Sequence, residues 1–101
     1  MFKVERIYVH NKEFLAYTIN LPKTTLLIIA NDVGYFACRA IDVAIFDQLP
    51  HLKAREVVCG HAKGVTTISE LLQAPLENVT EAARRLGIEK GMLVIDALAK
   101  L

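Results

Sequence analysis

Along residues 1–9, side chains alternate in character: Phe2, Val4 and Tyr8 fall on one side with Arg6 among them, and Lys3, Glu5, Ile7 and Val9 fall on the other. His10, Asn11 and Lys12 are turn formers, and residues 13–19 resume the alternation with Leu15, Tyr17 and Ile19 opposed to Phe14, Ala16 and Thr18. Neither face of this hairpin is cleanly polar, so both faces must be covered. Leu21 and Pro22 punctuate, and residues 25–30 form a continuous apolar run short enough for a buried strand. Asn31, Asp32 and Gly34 tolerate positive φ at low cost, which predicts a second hairpin returning through residues 35–39.

The pattern then shifts toward helix. Asp42 ahead of residues 43–49 predicts a capped helix that Pro50 stops, although the same residues would also serve as a strand. Residues 55–59 read as a short strand entering a loop over residues 60–64. Thr67 and Glu70 stand in capping-box spacing before Leu71 and Leu72, so a helix starts near Ile68. Pro75 occupies a first helical position, and Leu76, Val79, Ala83 and Leu86 recur at three- and four-residue steps, predicting a helix that Gly87 ends with Ile88 making the accompanying contact. A last helix is expected over residues 92–99. The expected fold is α+β: an N-terminal antiparallel β region of two hairpins followed by a mostly helical C-terminal part, in one domain over residues 1–101.

Composition narrows the partners. A chain of 101 residues, 53% hydrophobic and 23% charged, has room for one domain. Residues 1–50 carry five charges of each sign and residues 51–101 carry seven positive against six negative, so no basic block exists and no nucleic-acid partner is expected. Lys3, Glu5 and Arg6 interrupt any signal-peptide core, and the longest aliphatic run, residues 26–30, is far short of the roughly 20 residues that span a bilayer. No membrane partner is expected. Two cysteines do not make a secreted disulfide framework, so the expected location is cytoplasmic, with reduced thiols. The apolar excess and the two-faced first hairpin predict that the chain assembles with copies of itself, an even-numbered assembly such as a tetramer being the closed solution.

The stretches GYFACRAIDVAIFD, residues 34–47, and VVCGHAKGVTTISELLQAPLENVTEAARRLGIEKGM, residues 57–92, resemble the YunC-like family of small bacterial and archaeal proteins of unknown function. The most specific parts are Cys38 with Asp42, Gly64 and Val65 before Thr67, and Gly87, Ile88, Gly91 and Met92. The resemblance implies an α+β fold, an oligomerisation role for the β hairpin of residues 1–22, and a family core over residues 23–101. Arg39 stands where the family usually has a small residue, and His61 where it has a basic one. The resemblance brings no activity and no cofactor.

The chemistry-bearing residues gather around these motifs. Cys38, four residues before Asp42, suits a nucleophile or redox thiol if Arg39 or a helix start near Asp42 lowers its pKa; the plainer roles are a buried core thiol and a helix cap. Cys59 and His61 share a strand face, but no CxxC or HxxxH accompanies them or Cys38, His10 and His51, so no metal is expected. The segment CGHAKGVTT has strand, glycines, lysine and threonines before a helix but does not match GxxxxGK[ST]; an anion could sit at that helix start near His61 and Lys63, while a bulge or bend at Gly60 and Gly64 is the simpler use of the glycines. Arg84 and Arg85 are expected on a solvated helix face, paired with Glu77, Glu81 or Glu89. The leading expectation is a homo-oligomeric binding or structural module with a small-molecule site drawn from Tyr35, Cys38, Asp42, His61 and Lys63. The competing one is a small enzyme using Cys38 with Asp42 orienting a base; a metal-dependent hydrolase using Cys38, Asp42 and His61 ranks last.

Overall fold

Turn chemistry sets the N-terminal half. In the computed structural model, which describes residues 2–101, strands β1 (Phe2–Val9) and β2 (Lys12–Leu21) are joined by His10 and Asn11, both at positive φ. Two such residues give the turn twist that antiparallel strands need. Met1, expected in the first strand, lies outside the described residues. Pro22 and Lys23, the latter at φ 63°, lead into β3 (Thr24–Ala30). The expected second turn forms as well: Asn31 Oδ1 accepts from the backbone N–H groups of Val33 and Gly34, and β4 (Gly34–Cys38) returns antiparallel with Ile29 opposite Phe36.

After β4 the chain crosses over and returns parallel, which differs from the expected sequence of elements. The single helix expected over residues 43–49 is instead two one-turn helices, α1 (Ile45–Gln48) and α2 (Pro50–Lys53). Pro50 opens the second, since a first helical position makes no use of the N–H that proline lacks. Asp42 does not cap α1; its Oδ1 accepts from Ala44 N–H at 3.0 Å in a turn before the helix. The strand expected at residues 55–59 is displaced to β5 (Val58–Ala62), because Glu56 holds positive φ. Gly60 therefore sits inside a strand and not in a loop; a Cβ there would crowd the Asn78 carbonyl, Leu76 and Val79 at about 3 Å.

The C-terminal part is not mostly helical. Strands continue to residue 79, and the whole is one α+β domain with a six-stranded mixed sheet whose strands lie side by side in chain order. Helix α3 (Ile68–Gln73) begins as expected, Thr67 Oγ1 accepting from Glu70 N–H at 3.1 Å. Pro75 does not start a helix. Residues 75–79 are extended: Leu76 N–H donates to Met92 O, Glu77 N–H donates to His61 O, and β6 (Asn78–Val79) joins the sheet edge. Leu76 and Val79 are buried as the spacing required, since a three-residue step can also place two side chains inward from an irregular extended segment. The helix waits for the Thr80 cap and runs as α4 (Glu81–Arg85). It ends as the sequence indicates: Gly87 takes φ 89°, its N–H donates to Arg84 O, and Ile88 N–H donates to Ala83 O with the Ile88 side chain fully buried. Helix α5 (Val94–Leu98) closes the chain, its side anchored to the first turn by His10 Nε2 on Ile95 O and Lys12 Nζ on Ala99 O, each at 2.8 Å.

One sheet face carries Phe14, Ala16, Leu27, Ile29 and Phe36 under Leu71, Ile88, Val94 and Leu98, forming the main core. On the other face Ala37 and Cys59 are fully buried beside the crossover, which contributes the fully buried Val43. That cover stops short of β1 and β2, where Phe2, Val4 and Tyr8 are 62%, 44% and 70% exposed. Among the described residues no helix is long and apolar enough to cross a membrane.

Thr80 ties these layers together. Its buried hydroxyl donates to Val57 O at 2.7 Å and accepts from Ala83 N–H and Cys59 N–H, each at 3.3 Å. Thr80→Val keeps the shape and strands those groups, so it should cost about 2 kcal/mol in urea denaturation. Thr67→Ala loses one exposed cap and should cost about 1 kcal/mol. Equal costs would reduce Thr80 to an ordinary cap.

Candidate functional site

Because β4 and β5 are parallel, with Cys38 opposite Ala62, two chain exits lie side by side at their carboxyl ends. Carboxyl ends of parallel strands are where open sheets present ligand crevices. Two cavities flank Arg39 here. One, about 420 Å³, is lined by Arg39, Asp42, His61, Glu77, Asn78 and Lys90. The other, about 290 Å³, is lined by Thr24, Thr25, Cys38, Arg39, Ala40, Gly64, Val65 and Thr66.

The larger cavity is organised around Glu77. His61 Nε2 lies 3.0 Å from Glu77 Oε1, Arg39 Nε 3.5 Å from the same oxygen, and Lys63 Nζ 3.5 Å from Oε2. Partial desolvation works against the charged carboxyl, yet the His61 hydrogen bond and the cations of Arg39 and Lys63 outweigh it and hold Glu77 below the usual carboxylate range. His61 is only 6% exposed, and its Nδ1 is buried with no hydrogen-bond partner among the described residues. Nε2–H donates to the carboxylate, so one ring nitrogen is engaged and the other is left without a bond.

Of the five residues the sequence nominated, Asp42 and His61 line one cavity and Lys63 joins them through Glu77. Cys38 faces the other cavity on the opposite side of the sheet, since its strand partner is Ala62 while His61 is opposite Ala37. Its thiol is 5% exposed, accepts from Leu27 N–H at 3.4 Å and lies 3.6 Å from Thr25 O. The Cys38 and Asp42 side chains thus do not converge, because the chain turns between them instead of running as a helix. Tyr35 is removed from both cavities; it lies opposite Cys59 near the start of β4, and burial, together with the Cys59 thiol, raises its pKa. Cys59 itself is pushed up to about 11 by burial, with the Asp47 carboxylate adding to the effect and hydrogen bonds from Tyr35 and Thr80 partly opposing it. Such a thiol is protonated and inert at neutral pH.

The helix start after Gly64 holds an internal anion: Glu70 Oε1 accepts from Thr66 N–H at 2.7 Å and Thr66 Oγ1 at 2.8 Å, bonds that lower the Glu70 pKa. Lys63 is turned away to Glu77. The arginines of α4 also differ from expectation: Arg85 pairs with Glu56 at 2.9 Å, Arg84 has no ion pair among the described residues, and Glu77 belongs to the cavity. Among the described residues no group of three His, Cys, Asp or Glu side chains is arranged to hold a metal ion. Glu77, Asn78 and Lys90 carry no local motif that would have drawn them to His61; the pairing of β6 with β5 brings the first two, and the segment after α4, bonded through Gly91 N–H to Leu76 O, brings Lys90.

A family model described as a domain of unknown function, DUF1805, matches residues 37–101. The chain is 46% identical to the uncharacterized protein YunC of Bacillus subtilis (strain 168) over 101 residues, covering 100% of this chain and 98% of that one. The crystal structure of a protein of unknown function, TA1206 from Thermoplasma acidophilum, matches with a TM-score of 0.88 at 21% identity, over 100% of this chain and 93% of that chain. At that identity the likeness is one of fold alone.

Two measurements probe this geometry. Iodoacetamide at neutral pH should label Cys38 slowly and Cys59 only on unfolding; prompt labelling of Cys59 in the native protein would contradict its burial and raised pKa. Because Glu77 is more acidic folded than its ordinary 4.5, its contribution to stability is full above that value and is lost as pH falls through the lowered one. Glu77→Gln should therefore flatten the acid limb of a stability-against-pH curve, and an unchanged limb would remove Glu77 as the hub.

Proposed function

Since the chain belongs to the DUF1805 family, whose description names no activity to inherit, we propose from its geometry that it is a homo-oligomeric binding module taking a small ligand at the carboxyl ends of β4 and β5. The observation that carries this reading is the 420 Å³ cavity, which gathers cations, carboxylates and a buried imidazole on a rigid sheet edge and is of ligand-pocket size. The competing reading, covalent chemistry at Cys38, has less support. That thiol is bonded into the strand, and the neighbouring His61 is on the other face of the sheet. A nucleophile needs a base within hydrogen-bond reach.

Assembly with copies of the same chain is supported by two surfaces. The outer face of β1 and β2 exposes Phe2, Val4, Tyr8, Leu15 and Leu21. β1 is also an edge strand of eight residues, pairing only with β2 in the sheet. A long edge and an apolar face are both surfaces that isolated domains avoid presenting. A second copy satisfies each by a two-fold contact, and two different two-fold contacts on one chain close as a tetramer.

Light scattering on the wild type should give a mass several times 11.2 kDa. Val4→Glu combined with Leu15→Glu, both on exposed positions of the outer face, should lower that mass to a dimer or a single chain without unfolding. A wild type that stays monomeric at micromolar concentration would overturn the assembly.

A further inference from the structure

We propose that the cavity beside His61 binds its ligand through an oxyanion, a carboxylate or a phosphate, clamped between Arg39 and Lys90, with a hydroxyl on the same ligand donating to Asp42. This rests on the binding-site reading above and names the ligand's chemistry. Glu77 has both oxygens occupied, by His61 and Arg39 on one and by Lys63 on the other. Its role is to hold Arg39 and His61 in place, and it is not a free acceptor for a ligand.

What remains open in the cavity is mainly donors. Arg39 meets Glu77 through Nε, which leaves its terminal nitrogens, the fork that grips an oxyanion with two parallel bonds, without partners among the described residues. Lys90 lines the same cavity with no ion pair among the described residues. Asn78 gives its side-chain oxygen to Val79 N–H, leaving the amide NH₂ as a further donor. Against these stands one open carboxylate oxygen, since Asp42 Oδ1 already accepts from Ala44 N–H. Three cations around the site, Arg39, Lys63 and Lys90, against the carboxylates of Asp42 and Glu77 leave it positive without counting His61.

The unpartnered Nδ1 of His61 is the second, independent sign. A buried polar atom without a bond carries a desolvation cost that the fold does not recover, and such atoms in native proteins call for a functional account. A ligand held in the cavity supplies one, its polar end offered to Nδ1 while Glu77 holds Nε2 from the other side of the ring. A hydroxy acid or a phosphate ester fits the arrangement, its anion on Arg39 and Lys90 and its hydroxyl on Asp42.

The test uses the full chain, with backbone amide chemical shifts followed during titration with inorganic phosphate, with lactate and with uncharged glycerol at low ionic strength. Saturable shifts confined to residues 39, 42, 61, 78 and 90 with phosphate or lactate are expected. The tighter of the two assigns the anion class. Arg39→Gln and Lys90→Gln, both at exposed side chains, should each weaken binding roughly tenfold, while Lys100→Gln should leave it unchanged. Shifts from the anions that persist in the Arg39→Gln, Lys90→Gln double variant would overturn the clamp. Glycerol binding in the cavity with no response to either anion would overturn the anion assignment and leave the binding site standing. No cavity response to any of the three probes would overturn both.

Discussion

The parallel pairing of β4 with β5 is the constraint on which the rest of the structure depends. Four strands follow one another by antiparallel turns, and among the described residues only here do neighbouring strands run the same way, so the chain must leave the sheet and cross back. Two glycines permit close approaches around this pair, Gly34 to β5 and Gly60 to β6 and the segment before it. A Cβ on Gly34 would run into the backbone carbonyl of Val58, its register partner, and one on Gly60 would press on Asn78, Leu76 and Val79. Neither glycine has positive φ; both are required by space, not by backbone conformation. The Thr80 hydroxyl then fastens β5 to the start of α4, so the pair is held from its far edge as well.

From that pairing follows the separation of chemistry between the two faces. Alternation along β4 sends Phe36 and Cys38 to the helix-covered side and Tyr35 and Ala37 to the other; β5 sends Gly60 and Ala62 one way and Cys59 and His61 the other. The thiol and the imidazole nearest the carboxyl ends are therefore divided by the sheet itself. Acidic side chains stabilise the two loops that leave these ends: Glu70 gathers the donors of Thr66, and Glu77 gathers His61, Arg39 and Lys63. Each anchors one polypeptide segment to another, which keeps the rim of the cavity in place.

The local parts of this architecture were legible in the sequence. The strand alternation, the turn residues His10, Asn11 and Asn31, the Thr67 cap and the Gly87 stop each act within a few residues, and each appears where the chemistry requires. What escaped the sequence depends on partners distant along the chain. The segment at Pro75 carries a helical spacing, but its N–H groups find the carbonyls of His61 and Met92, and that tertiary pairing wins over local preference. Asp42 and Cys38 stand four apart, a spacing that shares a face only in a helix, and the turn at Ile41 breaks it; Ile41 N–H donates to Cys38 O. The candidate site was half legible for the same reason: His61, Asp42 and Lys63 flank glycines or strand ends that announce a loop, whereas Glu77 and Lys90 reach it only through β6 and the segment after α4.

Strand order equals sequence order in this sheet, and that has a consequence for how the protein can work. The proposed assembly surface belongs to β1 and β2 at one edge, and the proposed ligand cavity to the ends of β4, β5 and β6 at the other. The family model begins at residue 37, just where the cavity-forming residues begin, and leaves the exposed hairpin outside it. The fully buried Leu27, Ile29 and Phe36 lie between the two ends, and neither Val4 nor Tyr8 lines the cavity, so the proposed assembly and the proposed ligand use separate side chains. The same core favours the cavity. His61 and Asn78 stand on strands fixed by the packed core, and Glu77 ties the Arg39 turn to His61, so the proposed ligand would meet a floor already ordered and more of its contact energy would be retained as affinity.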